Sequence, residues 1–180
     1  MTETTASTDR IEQFVQRLEQ LDVGGRARLR RCAGKRLEEA TDVLGLFYRL
    51  APPFEPGRER QEAYFLIATL FPLAESDRGR HRNLGATLRA ARNEGNAAGL
   101  DRRMEVLLDA DREQLPFRLR QVVRLAQSHR VGINWPQLLR DVIQWSHPDR
   151  FVQRQWAEAY FAERPAAGSA AGPGRAALPR

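Results

Sequence analysis

Apolar residues recur three or four positions apart along most of the chain, which is the spacing of one face of an α-helix. The stretches 11–21 and 115–125 show this pattern clearly. The stretch 63–71 is apolar on nearly every side, which is typical of a central, buried helix. No alternating strand pattern, internal repeat or heptad seam interrupts the series. The pattern predicts an all-α fold, a helical bundle of about seven to nine helices, with two packed lobes as one possible arrangement.

The stretch 133–161 contains all three tryptophans of the chain and two helix starts. Asn134 is a good N-cap, and Pro136 falls in the first turn, where a missing backbone N–H costs little. We predict that this helix ends before Pro148, which opens a second helix. The apolar stripes of the two helices can face each other as an αα-hairpin. Its tryptophans, Trp135, Trp145 and Trp156, are predicted to lie in the core.

Caps, glycines and prolines place the other helix boundaries. The remaining helices are predicted from Thr8 or Asp9 to Gly24–Gly25, from Leu37 to Leu50, from Glu59 to Phe71, from Leu84 to about Arg92 behind an Asn83 cap, from Leu100 to Leu108, and from Leu115 onward with Pro116 in the first turn. Residues 1–8 and 164–180 are expected to be disordered. The Gly95–Gly99 loop is the expected divide between an N-terminal helical lobe, 9–94, and a C-terminal lobe, 100–163.

Positive charge is concentrated in three segments that contain no acidic residue: 26–36, 78–92 and 114–130. The formal net charge is +6, and nearly every basic residue is arginine, whose guanidinium binds phosphate in two-pronged fashion and stacks on bases. Like charges one helical turn apart repel, so the segment 26–36 indicates an anionic partner. We expect the three segments to form one continuous track. The candidate nucleic-acid-binding residues are Arg26, Arg28, Arg30, Arg31, Lys35, Arg82, Arg89, Arg118, Arg120 and Arg124.

Residues for catalysis or metal binding are not grouped in the sequence. The three histidines, His81, His129 and His147, are far apart along the chain and from Cys32, the only cysteine. No phosphate-binding loop, dinucleotide fingerprint or nucleophile elbow is present. We therefore expect a protein without enzymatic activity, cofactor or small-molecule substrate. The chain also has no apolar run long enough to span a membrane and no signal peptide, so we expect a cytoplasmic protein.

One tripeptide offers an alternative function. His147-Pro148-Asp149 stands between two predicted helices and is similar to the signature loop of J-domain co-chaperones. A J-domain also has a lysine-rich second helix, whereas the preceding helix here carries a tryptophan and an aspartate. Pro148 and Asp149 are also explained as residues that start a helix.

Several stretches, in a fixed order, resemble one family. They are GRARLRR (25–31), LFYRL (46–50), YFLIATLF (64–71), NLGATLR (83–89), LLDA (107–110), LPFRLR (115–120), and the segment 133–161 with its NW, LLRD, WSHPD and VQRQWA. Together they resemble the CasB family, the small subunit of the type I-E CRISPR surveillance complex Cascade. The resemblance covers residues 10 to 162 approximately.

This resemblance implies an all-helical, non-catalytic subunit that is present as a pair and contacts other Cascade subunits. Such a subunit helps to hold crRNA-guided target DNA open by binding the displaced strand. The sequence leaves open whether crRNA is touched directly and which face meets nucleic acid. A purely scaffolding subunit, whose arginines contact acidic protein surfaces, is the second alternative.

Overall fold

Helices account for almost all regular structure in the computed structural model, which describes residues 2–52, 57–74 and 79–162. The helices are α1 (Thr2–Glu19), α2 (Val23–Arg31), α3 (Leu44–Leu50), α4 (Arg58–Leu70), α5 (Leu84–Ala91), α6 (Ala97–Asp109), α7 (Leu115–Ser128), α8 (Trp135–Ile143) and α9 (Phe151–Phe161). The described part of the chain contains no strand, so the predicted all-α class is confirmed. The predicted disordered tail, 164–180, lies outside the described residues.

Two helix starts follow the sequence prediction. The Asn83 side chain accepts a hydrogen bond from the N–H of Ala86 at 3.0 Å, and α5 begins at the next residue. The Asn134 side chain accepts from the N–H of Gln137 at 3.1 Å at the start of α8. Each side chain satisfies one of the backbone donors that a helix N-terminus leaves free.

The first two helices differ from the prediction. α1 begins at Thr2, so residues 2–8, which were expected to be disordered, are helical. The pair Gly24–Gly25 does not end a helix but lies in the first turn of α2. The Asp22 carboxylate caps α2 by accepting from the Gly25 N–H at 2.7 Å. A Cβ on Gly25 would lie 2.9 Å from that carboxylate, so glycine leaves room for the cap.

The helix predicted from Leu37 to Leu50 is broken at its start. Two 3₁₀ turns, Leu37–Glu39 and Thr41–Val43, precede α3. Ala40 lies between them with a ψ of 60°, outside the helical region, and is fully buried. Packing of this residue against the core therefore overrides the local helical pattern.

The core is built around α4, whose residues from Ala63 to Leu70 are all buried. This confirms the prediction of a central helix. α8 packs mainly against α4 and α1, whereas α9 packs mainly against α5. The predicted αα-hairpin, with α8 and α9 face to face, is therefore wrong. Pro148 does not open α9, which begins at Phe151 after Arg150 adopts a left-handed backbone with φ 47° that turns the chain away.

The tryptophans of this region are core residues, as predicted. Trp135, Trp145 and Trp156 are each at most 2% exposed. The Trp145 and Trp156 rings lie 5.1 Å apart between centroids. The Trp156 indole donates to the buried carboxylate of Asp141 at 2.7 Å, so side chains rather than facing helix stripes join the end of α8 to α9.

The core is continuous across residues 95–99, the boundary predicted between two lobes. α5 lies before this boundary and packs against α7 and α9, which lie after it. Residues from all of these helices belong to one cluster of buried apolar side chains. A division into two packed lobes therefore stays a prediction.

Candidate nucleic-acid interface

Two of the predicted binding arginines are engaged by the fold itself. Arg26 donates from Nε to the carbonyl oxygen of Leu21 at 2.9 Å and from Nη2 to that of Glu19 at 2.7 Å. It thereby satisfies carbonyl groups that the C-terminus of α1 leaves free. Arg28 donates to the carbonyl oxygen of Asp42 at 2.7 Å. Both guanidinium groups hold neighbouring segments together.

Three further basic residues of this segment are exposed. Arg30 and Arg31 occupy the last turn of α2, and Lys35 follows in the loop. Within the described chain, none of these three side chains forms an ion pair or a hydrogen bond. Their charges are therefore available to an anionic partner.

The loop after α2 rests on α7, which brings two of the predicted segments into contact. A Cβ added to Gly34 would lie 2.9 Å from Cδ of Arg120 and 3.7 Å from the carbonyl oxygen of Pro116. Gly34 has a φ of 82°, a backbone conformation that glycine adopts without strain. Arg124 lies one turn beyond Arg120 on α7. We refer to Arg30, Arg31, Lys35, Arg120 and Arg124 as the α2–α7 basic group.

Arg118 and Arg120 are half-buried, and the Nε atom of each is buried without an acceptor among the described residues. The positive charge of a guanidinium is offset by a neighbouring carboxylate, and neither arginine has such a neighbour among the described residues. The fold therefore holds both arginines in place while leaving their charge unneutralised.

The predicted segment 78–92 places its candidate arginines beside α9, and Arg78 is outside the described residues. Arg82 lies 4.0 Å from the Glu158 carboxylate, and Arg89 donates to the carbonyl oxygen of Tyr160 at 3.0 Å. Both residues therefore face α9. No contact described for either residue joins it to the α2–α7 basic group, and one continuous track through all three segments stays a prediction.

Arg92, in the same segment, is neutralised. It donates to both oxygens of Asp101, at 2.8 and 2.9 Å. Tyr160 donates its hydroxyl to the same carboxylate at 2.6 Å. These hydrogen bonds, first that from Arg92 and then that from Tyr160, lower the pKa of Asp101 to about 2. This cluster ties α6 to α9 and offers no free positive charge.

The family model described as CRISPR-associated protein Cse2 matches residues 25–161 of the chain. The chain belongs to the Cse2 family. A curated Cse2 protein of Thermus thermophilus is 36% identical over 126 residues, which cover 65% of this chain and 70% of that protein. The crystal structure of M. ruber CasB is 32% identical and has a TM-score of 0.71, covering 84% of this chain and 92% of that one.

A chain of a CRISPR RNA-guided surveillance complex shares the same fold, with a TM-score of 0.73 at 23% identity, over 85% of this chain and 92% of that one. The resemblance found in the sequence motifs is thus confirmed at the level of the family. In this Cse2-family chain, His147-Pro148-Asp149 forms the turn between α8 and α9, where the Asp149 N–H donates to Nδ1 of His147 at 3.2 Å. The tripeptide therefore has a structural role as this turn between helices.

Groups for metal binding or nucleophilic chemistry do not converge in the Cse2 fold as described. Residues 2–52, 57–74 and 79–162 contain no cluster of three or more metal-binding side chains. Cys32 is buried, and burial raises the pKa of its thiol, which keeps it protonated and unreactive. A search of the described helices finds none long and apolar enough to cross a membrane.

Three residues that the sequence pattern did not predict lie close to predicted ones on α6 and α7. Arg102 and Arg103 of α6 line a cavity of about 320 Å³ together with Arg118 of α7. Phe117, also on α7, is 52% exposed. The pair Arg102-Arg103 lies in a segment that also contains acidic residues, so a search for acid-free segments could not find it. An aromatic residue inside the acid-free segment 114–130 was a signal that could have been used.

Proposed function

We propose that this protein is a non-catalytic, nucleic-acid-binding small subunit of a type I-E CRISPR Cascade complex. It acts in the cytoplasm beside a second copy of itself and other Cascade subunits. In this role it binds the displaced DNA strand and so stabilises the opening of target DNA by the crRNA. Membership of the Cse2 family and the fold shared with a chain of an RNA-guided surveillance complex support the assignment to such a complex.

The α2–α7 basic group is the observation that carries the nucleic-acid role. Its members project from α2, from the loop that follows it and from α7, and this loop meets α7 at Gly34 and Arg120. None of them is ion-paired with a described residue. Unneutralised guanidinium and ammonium groups bind phosphates whatever the base sequence. The group therefore suits a single strand that the complex must hold regardless of its sequence.

The test is the salt dependence of binding to a single-stranded oligonucleotide. If about 4 to 6 phosphates are neutralised, the log-log slope of affinity against salt is about −3 to −4. Replacing both Arg30 and Arg31 by glutamine removes about two phosphate contacts and flattens the slope by roughly 1.4. Fluorescence anisotropy across a salt series measures both slopes.

The matched control replaces Arg49 and Arg154 by glutamine. Both are exposed, and they lie on α3 and α9, outside the three acid-free segments. This variant loses the same net charge as the Arg30 and Arg31 variant. It therefore distinguishes the loss of direct phosphate contacts from the effect of a lower net charge. Equal slopes for the two double variants contradict a role for α2 in strand binding. A chain that enters the complex but binds no oligonucleotide at any salt concentration is a scaffold, the alternative function.

A further inference from the structure

An aromatic ring stands alone on the basic surface of α7. Phe117 is 52% exposed, and the guanidinium carbon of Arg118 lies 5.5 Å from its ring centroid. The other large apolar residues exposed among the described ones are Val23, Tyr48 and Phe161, on α2, α3 and α9. A protein-binding patch normally has several apolar residues at its centre. This ring is instead flanked by arginine.

A cavity rich in arginine lies beside the ring. Its volume is about 320 Å³, and its lining residues are Gly99, Arg102, Arg103, Val106, Arg118 and Gln121. None of these carries a negative charge. Gln121 lies one helical turn after Phe117, so the ring is at the rim of the cavity. Arg118 contacts both features, because it lines the cavity and lies against the ring.

Two of the three arginines are held in place without being neutralised. Arg103 donates to the carbonyl oxygen of Gly99 at 2.9 Å, an uncharged acceptor. Arg118 has a buried Nε and no carboxylate partner among the described residues. Arg102 is exposed, and no described residue pairs with it. Three concentrated positive charges favour an anion in the cavity.

We propose that Phe117 and the cavity between α6 and α7 form a subsite for one unpaired nucleotide. The base stacks on the Phe117 ring, and Arg102, Arg103 and Arg118 hold the adjoining phosphate. Stacking on an aromatic ring tolerates any base, because every base presents a π-face, and the phosphate contact is equally independent of sequence. The subsite rests on the proposed function, to which it adds a defined site of base contact.

The test compares two oligonucleotides of equal length, oligo-dT and a fully abasic strand, on the full-length protein. Phe117→Leu keeps an apolar side chain but removes the π-face. It is expected to weaken oligo-dT binding on the order of 10-fold while leaving abasic binding and the salt slope unchanged. Phe117→Trp is expected to restore oligo-dT binding. The matched control is Tyr48→Leu, since Tyr48 is 54% exposed on α3, and it should change neither affinity.

The phosphate half of the subsite has its own variant. Arg102→Gln is expected to weaken both oligonucleotides alike and to flatten the salt slope by roughly 0.7, as the loss of one phosphate contact does. If Arg102→Gln leaves the salt slope unchanged, the phosphate does not bind in this cavity, and this half of the proposal is wrong.

The outcomes separate this inference from the proposed function. If the wild-type chain binds neither oligonucleotide, the proposed function fails together with the subsite. If the wild-type chain binds both, and Phe117→Leu either has no effect or weakens binding of the abasic strand equally, base stacking on Phe117 is contradicted. The proposed function is not affected by that result. If Phe117→Leu leaves both affinities intact but impairs assembly with the other Cascade subunits, the ring is a protein contact.

Discussion

The side chain of Arg26 donates to the carbonyl oxygens of Glu19 and Leu21, whereas that of Arg30, one turn later on α2, forms no hydrogen bond or ion pair with a described residue. The two residues are equivalent in sequence pattern but differ in function. Truncating Arg26 removes hydrogen bonds that hold α1 to α2, so it is unsuited to a test of nucleic-acid binding. Arg30 is suited to that test because the fold does not use it.

At the same scale, Asp141 is a buried acid in the core. It is 5% exposed, and its carboxylate accepts from Nε1 of Trp156 at 2.7 Å and from Nε2 of Gln137 at 2.8 Å. Burial raises its pKa, while the two hydrogen bonds oppose that rise. The folded state therefore holds the Asp141 proton more tightly than the unfolded state, in which the pKa of an aspartate is about 4. This tighter proton binding stabilises the folded state fully when the pH is below the unfolded-state pKa. The stabilisation is lost as the pH rises through the folded-state pKa of Asp141.

We predict that Asp141→Asn destabilises the protein less at pH 7 than at pH 4, because the neutral amide avoids the cost of a buried charge and still accepts from Trp156. Asp141→Ala should cost about 1 to 3 kcal/mol, since it leaves the Trp156 N–H buried without an acceptor. Urea unfolding at several pH values measures both effects. Asp109→Asn, at an exposed position, is the control. A pH-independent difference between wild type and Asp141→Asn contradicts the raised pKa.

At the scale of elements, the contact between α5 and α9 depends on one glycine. A Cβ on Gly85 would lie 2.2 Å from the carbonyl oxygen of Trp156 and 2.9 Å from its Cα. The two backbones can therefore approach only where no side chain intervenes. Asn83 and Arg89, at either end of α5, donate to the carbonyl oxygens of Gln155 and Tyr160 on α9. These contacts fix α9 against α5 rather than against α8.

Gly85→Ala is expected to destabilise the protein by about 1 to 3 kcal/mol, because the methyl group forces two backbones apart. The midpoint of urea unfolding measures the loss. Gly45→Ala is a matched control, since Gly45 is also the second residue of its helix and its Cβ would meet nothing nearer than Nη1 of Arg49 at 3.7 Å. It should raise stability by up to about 1 kcal/mol. Equal effects of the two substitutions contradict the close approach of α5 and α9.

At the scale of the whole molecule, helices from both sides of residues 95–99 pack in one core. Every tryptophan lies in the predicted C-terminal lobe, 100–163, whereas helices are distributed over both predicted lobes. Tryptophan fluorescence therefore comes from side chains of the predicted C-terminal lobe, whereas far-UV circular dichroism reports on the helices of the entire chain.

We predict that both signals change in a single transition at the same urea concentration, because α5 cannot lose its contacts without exposing the buried face of α9. Coincident curves indicate one cooperative unit. Curves with separate midpoints support the division into two lobes and contradict a core that unfolds as a whole.

The sequence by itself determined most of the helices and the face that each of them buries. It did not determine the start of α1, the helix α2 or the break at Ala40. Apolar spacing predicted α4 as the central helix, and the short-range hydrogen bonds of Asn83 and Asn134 made the starts of α5 and α8 predictable. The family was also identifiable from ordered motifs. These features depend on residues close together in the chain, so their pattern is visible without the fold.

Only the tertiary structure decided which helices meet and which charges remain free. Glycine at position 85 directs α9 to α5, although the apolar stripes of α8 and α9 were equally able to pair. Carbonyl groups far away in sequence occupy Arg28 and Arg89, while Arg120 meets the loop at Gly34. Arg102 and Arg118 line one cavity only because α6 packs on α7. An arginine's sequence neighbours do not reveal its partners, because its long side chain reaches groups that only the packed helices bring near.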